Sequence, residues 1–205
     1  LGLNADRITQ GLEALSASDP RFAEAVARYG HPEPRIREPG YETLLRAIVS
    51  QQVSTAAAAS IWRKLEAQVG DLHSPARMMA VSPDDLRAAG LSRMKASYAQ
   101  SLAGHVTDGS LPLDALPADD EEAIALISSV RGIGRWSAEI YLLFAEGRAD
   151  SFPAGDLAVQ VQAGRLFADG TRPTEKQLRE MAEVWRPHRG VAALFLWHCY
   201  NAPPL

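Results

Sequence analysis

Apolar positions recur along the chain at the three- and four-residue spacing of helices, and nowhere at the two-residue spacing of a half-buried strand. The clearest stretch is Tyr41–Gln51, where Leu44, Leu45, Ile48 and Val49 fall on one helical face. Polar caps, prolines and glycines punctuate the rest. Asp19-Pro20 couples an N-cap to proline at the first helical position, and Gly30 is a suitable stop. Helices are predicted over Ser54–Val69, ended by Gly70, and over Ser92–Val106, with two short ones opened by Ser74-Pro75 and Ser82-Pro83. Further helices are predicted over Asp119–Val130, Arg135–Glu146, Leu157–Phe167, Thr174–Trp185 and Arg189–Tyr200. Acids fill the first turn after Asp119, where the helix dipole favours them, and Thr174 and Gln177 have the spacing of a capping box. The expected fold class is all-α. Two connectors read as hinges: 31–40, rich in proline, and 147–155, with Gly147, Pro153 and Gly155. They divide the chain into a lobe built from both ends, 1–38 plus 151–205, and a central lobe, 39–150.

With 205 residues, 46% of them hydrophobic, the chain can bury a sizeable core. No apolar run approaches the roughly 18 residues of a membrane span, and no charged-then-apolar leader opens the sequence. Cys199 is the only cysteine and lies in an apolar run, so a buried thiol is expected, with no disulfide and no four-thiolate iron–sulfur cluster. A cytoplasmic protein is expected. The five histidines show no ligand spacing, so no zinc site is read. The formal charge of −4 excludes a protein that holds nucleic acid by bulk positive charge. Residues 106–125 carry six acids and no Lys or Arg, whereas residues 46–105 carry seven basic groups against four acids. Any nucleic-acid contact must therefore be local.

The segment Leu126–Glu139 is where such a contact fits. One predicted helix ends near Val130, Gly132-Ile133-Gly134 turns, and another helix begins. Glycines permit positive φ and close approach by another molecule. The amides at the start of the new helix form a phosphate site without any net basic charge. A G-x-G turn reads equally well as an ordinary tight connection between packed helices. Its flanks add weight to the phosphate reading: Val130 and Ile133 can anchor the hairpin, while Arg131, Arg135 and Ser137 can reach phosphates.

This hairpin, followed by the Gly/Pro-rich loop Ser151-Phe-Pro-Ala-Gly-Asp156, resembles the helix-hairpin-helix DNA glycosylase superfamily, and within it the alkylpurine branch, 3-methyladenine DNA glycosylase II. Four ordered blocks carry the resemblance: Leu44–Ser54, Val130–Glu139, Phe152–Val159, and Trp185–Ala193 with Trp197. It implies a two-lobed helical fold with an active cleft between the lobes, in the compact form that lacks an N-terminal β-domain. The helix-hairpin-helix would span 126–146. Bifunctional relatives place a Schiff-base lysine where Trp136 stands, so a monofunctional enzyme is implied. The implied substrate is double-stranded DNA carrying alkylated bases of the 3-methyladenine and 7-methylguanine type, handled by a monomer through base flipping.

By the same resemblance, Asp156 is the catalytic carboxylate, a role compatible with the helix N-cap that its place before Leu157 also suggests. Trp136, Trp197 and Ile140 are implied to line the base pocket, since a cationic base gains roughly 0.5–2 kcal/mol on an indole face. Trp62 and Trp185 read as core. Gln52 and Gln51 are implied to bind DNA, Gln52 from the place where another member inserts a leucine into the base stack; a polar helix-end residue is the other reading of Gln52. Gly132, Gly134, Arg131, Arg135 and Ser137 are implied to bind the DNA backbone. The main-chain carbonyls of Ser128, Val130 and Ile133 are implied to hold a structural Na+ or K+, and no other cofactor is expected. The alternatives are a glycosylase for oxidised or mismatched bases and a non-catalytic helix-hairpin-helix DNA-binding module.

Overall fold

In the computed structural model, which describes residues 2–202, side-chain caps set where most helices begin. The helices are α1 (Ala5–Ser18), α2 (Pro20–Tyr29), α3 (Tyr41–Ser50), α4 (Thr55–Val69), α5 (Pro75–Ala80), α6 (Pro83–Ala88), α7 (Arg93–Thr107), α8 (Asp120–Ser128), α9 (Arg135–Phe144), α10 (Leu157–Phe167), α11 (Glu175–Met181) and α12 (Arg189–Asn201). No strand occurs among the described residues, so the all-α expectation holds. Asn4, Asp19, Ser54, Ser82, Ser92, Asp119, Asp156 and Thr174 each accept a backbone N–H from the first turn that follows. At Thr174 the reciprocal bond from Gln177 is also made, completing the capping box.

Two elements differ from the sequence reading. Helix α1 was not foreseen, although Ile8, Leu12 and Leu15 are all buried along one face. Gly11 in its middle reads as a breaker, yet it is there for packing: a Cβ would come within 2.9 Å of Val191 Cγ2 on α12. The helix expected through to Trp185 ends at Met181 and tightens into a 3-10 turn over Ala182–Trp185.

The chain divides into two compact units. One joins Leu1–Arg37 to Leu142–Leu205, and the other is Glu38–Tyr141. The second division falls inside α9 rather than in the loop beyond it. The two-ended unit is built on aromatic packing. Phe22 meets Phe167 at 4.8 Å, Trp185 at 5.4 Å and Phe195 at 6.2 Å between ring centroids. Helix α12 is buried from Gly190 to Trp197, as befits a helix apolar all round. The central unit packs Leu44, Leu45, Ile48 and Val49 of α3 with Trp62 and Leu65 of α4, Met78, Leu86, and Ala99 and Leu102 of α7. Trp62 and Trp185 are core, as expected. Cys199 is buried, and burial pushes its thiol up to about 12. None of the helices is long and apolar enough to cross a membrane, among the described residues.

Candidate functional site

In the central unit, α8 and α9 are joined by the hairpin. Val130 and Ile133 are buried and anchor it, and the Ile133 N–H donates to the Val130 carbonyl at 3.0 Å. The two glycines are used differently. Gly132 lies at φ +92°, and a Cβ there would fall 2.2 Å from Tyr98 Cγ on α7, so both the turn and the packing demand glycine. At Gly134 a Cβ would meet nothing within 4 Å, which leaves the backbone open to approach from outside. The first bond inside α9 runs from the Ala138 N–H to the Gly134 carbonyl at 3.1 Å, so the amides before it point out of the helix end.

Side chains around this end fall into three groups. Arg131 is exposed, its guanidinium 5.9 Å from the Tyr98 ring centroid. Ser137 is half-buried. Arg135, expected to reach phosphate, is instead taken up by carboxylates. Its Nε donates to Glu139 at 2.8 Å, and its two terminal nitrogens grip Glu121 at 2.8 and 2.5 Å. The Glu121 contact, with Glu139 behind it, raises the Arg135 pKa above the ordinary guanidinium range. Trp136, in the first turn of α9, is 47% exposed, and Ile140 one turn on is half-buried.

The α3–α4 corner belongs to the same unit. Gln52 is exposed and sits at φ +54°, a left-handed conformation that non-glycine residues adopt only where the surroundings hold them. Its neighbour Gln51 donates from Nε2 to the Gly132 carbonyl at 2.8 Å, tying this corner to the hairpin. The carbonyls of Ser128, Val130 and Ile133, implied by the resemblance as cation donors, are uncharged, and that of Val130 already accepts the Ile133 N–H at 3.0 Å. Ser128 Oγ, beside them in sequence, is buried and lacks a hydrogen-bond partner. Among the described residues, no group of three or more His, Cys, Asp or Glu gathers as metal ligands.

The two-ended unit carries Asp156. The preceding loop is buried from Ser151 to Ala154, and the Asp156 N–H donates to the Pro153 carbonyl at 2.9 Å. The carboxylate then caps α10: Oδ1 accepts the N–H groups of Ala158 at 2.9 Å and Val159 at 3.1 Å. A third donor is the indole N–H of Trp197 on α12, at 2.9 Å. Trp197 is only 7% exposed and packs at 5.7 Å on the Phe144 ring. Thus, of the two tryptophans the sequence singles out alike, Trp136 shows solvent a broad face, while Trp197 is buried and turns its N–H to the carboxylate.

The loop is pinned from behind. Arg189 grips Asp150 through Nε at 3.0 Å and Nη2 at 2.8 Å, and Arg186 reaches the same carboxylate at 2.6 Å. The Gly190 N–H donates to the Ala149 carbonyl at 2.7 Å. A Cβ at Gly190 would fall 2.7 Å from the carbonyl oxygens of both Ala149 and Ser151. Asp150, Glu121 and Tyr98 were missed by sequence reasoning, because their partners lie far along the chain and no local motif marks them; Arg186 and Arg189 fall in the Trp185–Ala193 block, but nothing local gives them a role.

Residues 45–187 match the family model described as HhH-GPD superfamily base excision DNA repair protein. The alkylbase DNA glycosidase-like protein mag2 of Schizosaccharomyces pombe is 28% identical, over 89% of each chain. The solved DNA-3-methyladenine glycosidase of Bacillus halodurans superposes with a TM-score of 0.86 at 29% identity, covering 94% of this chain and 89% of that one. The S. pombe 3-methyladenine DNA glycosylase Mag1, solved in complex with abasic DNA, superposes with a TM-score of 0.78 at 29% identity, covering 92% and 95%.

Proposed function

The chain belongs to the HhH-GPD superfamily of base excision DNA repair proteins and is a DNA glycosylase for alkylated bases; we propose that it draws the damaged nucleotide out of duplex DNA and hydrolyses its N-glycosidic bond, with Asp156 acting on the sugar. The observation that carries this reading is the placement of Asp156: a half-buried carboxylate oriented by two helix amides and one indole N–H. A base inside a duplex is out of reach, so the nucleotide must first leave the stack. As the C–N bond breaks, its electron pair departs with the base and positive charge develops on the sugar. A preorganised carboxylate stabilises that charge. The oxygen of a water molecule then bonds to the anomeric carbon, and its proton passes to Asp156. For 3-methyladenine and 7-methylguanine the departing base is already cationic, so it leaves neutral and needs no acid to protonate it.

The hairpin amides, with Arg131 and Ser137, hold the phosphodiester backbone, and the open space at Gly134 allows the close approach this needs. A Na+ or K+ on the carbonyls of Ser128, Val130 and Ile133 would stiffen the turn. Gln52 fills the vacated stack from its left-handed corner. Trp136, backed by Ile140, offers the indole face on which a cationic base stacks. Trp197 acts through Asp156, holding its orientation, rather than as a stacking face. The enzyme works as a monomer.

The test is base release from randomly methylated DNA by wild type and Asp156→Asn. Asn caps a helix as well as Asp does, so the fold is retained. Release should fall by about 10²–10³-fold or more while binding to abasic-site DNA persists. Release within a few-fold of wild type would refute Asp156 as the catalytic carboxylate, whereas a wild type that releases no base would leave only a DNA-binding module.

A further inference from the structure

Helix α7 carries none of the four blocks of the resemblance, yet two of its side chains meet the α3–α4 corner and the hairpin. Lys95 is buried, only 9% exposed, and its Nζ donates to the Val49 carbonyl of α3 at 2.8 Å. Burial holds its ammonium below the ordinary lysine range, so keeping it there is costly. The carbonyl it meets explains the placement. Val49 is the penultimate residue of α3, and the chain turns out of the helix at Gln51 and into the left-handed corner at Gln52. A carbonyl at such an end has no helical N–H ahead of it. Lys95 supplies the missing donor and sets a positive charge at the negative end of α3. One turn along α7, on the same face, Tyr98 lies against Gly132 so closely that no Cβ fits between them. The third side of the frame is the Gln51 bond to the Gly132 carbonyl.

We propose that α7 is a frame that holds the Gln52 corner and the hairpin in fixed register, with Lys95 the residue that positions Gln52 for entry into the base stack. The proposal rests on the glycosylase reading above and extends it to a residue that touches neither DNA nor the reacting atoms. The corner must keep its strained shape while Gln52 displaces a paired base. Without the Lys95 donor, α3 can fray through Val49 and the corner relaxes. The cost then falls on extrusion of the base, not on cleavage of the bond.

Lys95→Met keeps length and burial but removes the donor. The experiment measures single-turnover release of one 7-methylguanine from two duplexes, one with the lesion paired to cytosine and one with it opposite an abasic nucleotide, where less pairing energy opposes flipping. The expected result is a loss of about ten-fold or more on the paired duplex, the size of one lost charged hydrogen bond. The loss on the unpaired duplex should be several-fold smaller, and Lys95→Arg should recover the paired rate. Equal losses on both duplexes, or none on either, overturn the proposal. If Lys95→Met fails to fold, Gln51→Met decides: it cuts another side of the frame from a half-buried position and should show the same selective loss. Wild type that releases no base from either duplex would defeat the glycosylase reading itself, whereas active wild type with unselective variants defeats only the frame.

Discussion

Replacing Gly132 by Ala should unseat the hairpin, by an amount that can be worked from two separate strains. The backbone sits at φ +92°, where a Cβ is unfavourable by about 1–3 kcal/mol. The added methyl would also fall 2.2 and 2.3 Å from Tyr98 Cγ and Cδ2 and 2.8 Å from its Cβ. Overpacking of that kind costs about 1–3 kcal/mol once neighbours shift. Together the variant should lose about 2–6 kcal/mol, a large share of the roughly 5–15 kcal/mol that holds a domain folded. The two strains separate in a Tyr98→Ala background. Removing the ring eliminates the two shortest contacts and leaves only the Cβ at 2.8 Å, which a small displacement relieves. There Gly132→Ala should cost only the backbone strain, about 1–3 kcal/mol, giving a coupling of about 1–3 kcal/mol between the two positions. Urea unfolding of the four proteins measures this directly, and abasic-DNA binding should weaken in step as the amides lose their alignment. A Gly132→Ala variant destabilised by less than about 1 kcal/mol, or one whose cost is the same with and without the Tyr98 ring, would refute the reasoning.

Trp197→Phe keeps an aromatic ring but removes the N–H that reaches Asp156 at 2.9 Å. Single-turnover base release should slow about ten- to hundred-fold, as expected for a lost hydrogen bond to a charged group, with abasic-DNA affinity nearly unchanged; an unaltered rate would rule out a positioning role. Glu121→Gln loosens the carboxylate grip on Arg135. Plotted as log affinity against log salt, DNA binding should become tighter and its slope steeper by about 0.9, one more phosphate contact, whereas an unchanged slope would mean that Arg135 never reaches the backbone. Cys199 supplies a pH signature. Its folded thiol is pushed up to about 12, while the unfolded thiol titrates in the ordinary range. Between those values the unfolded chain has lost a proton that the folded chain keeps, so stability falls as pH rises. Relative to Cys199→Ala, wild type should lose stability across that alkaline window, and parallel curves would contradict the burial argument.

Local chemistry was legible in the sequence wherever an element carries its own signal. The Asp19-Pro20, Ser82-Pro83 and Thr174–Gln177 starts are stereochemical instructions that need only neighbouring residues. The same holds for Asp156 as an N-cap and for Gly132 at positive φ. What escaped depends on distant partners. Gly11 reads as a helix breaker until Val191 is laid beside it. Arg135 reads as a free cation until Glu121, fourteen residues earlier, closes on it. Trp136 and Trp197 are indistinguishable by type, and only packing shows that one is exposed and the other serves Asp156. Lys95 and Tyr98 carry no motif, because their meaning comes from loops 46 and 34 residues away.

The division of the chain into a contiguous central unit and one assembled from both ends has a consequence for biosynthesis. Chains leave the ribosome amino end first, and domains close as units. Phe22 emerges before Glu38–Tyr141 is made, but the rings that cover it, Phe167, Trp185 and Phe195, follow only after that whole unit. Until then the apolar face of α1 and α2 lacks its cover, while Glu38–Tyr141 already has all its own parts. The unit that carries the hairpin can therefore close before the unit that carries Asp156 has all its parts.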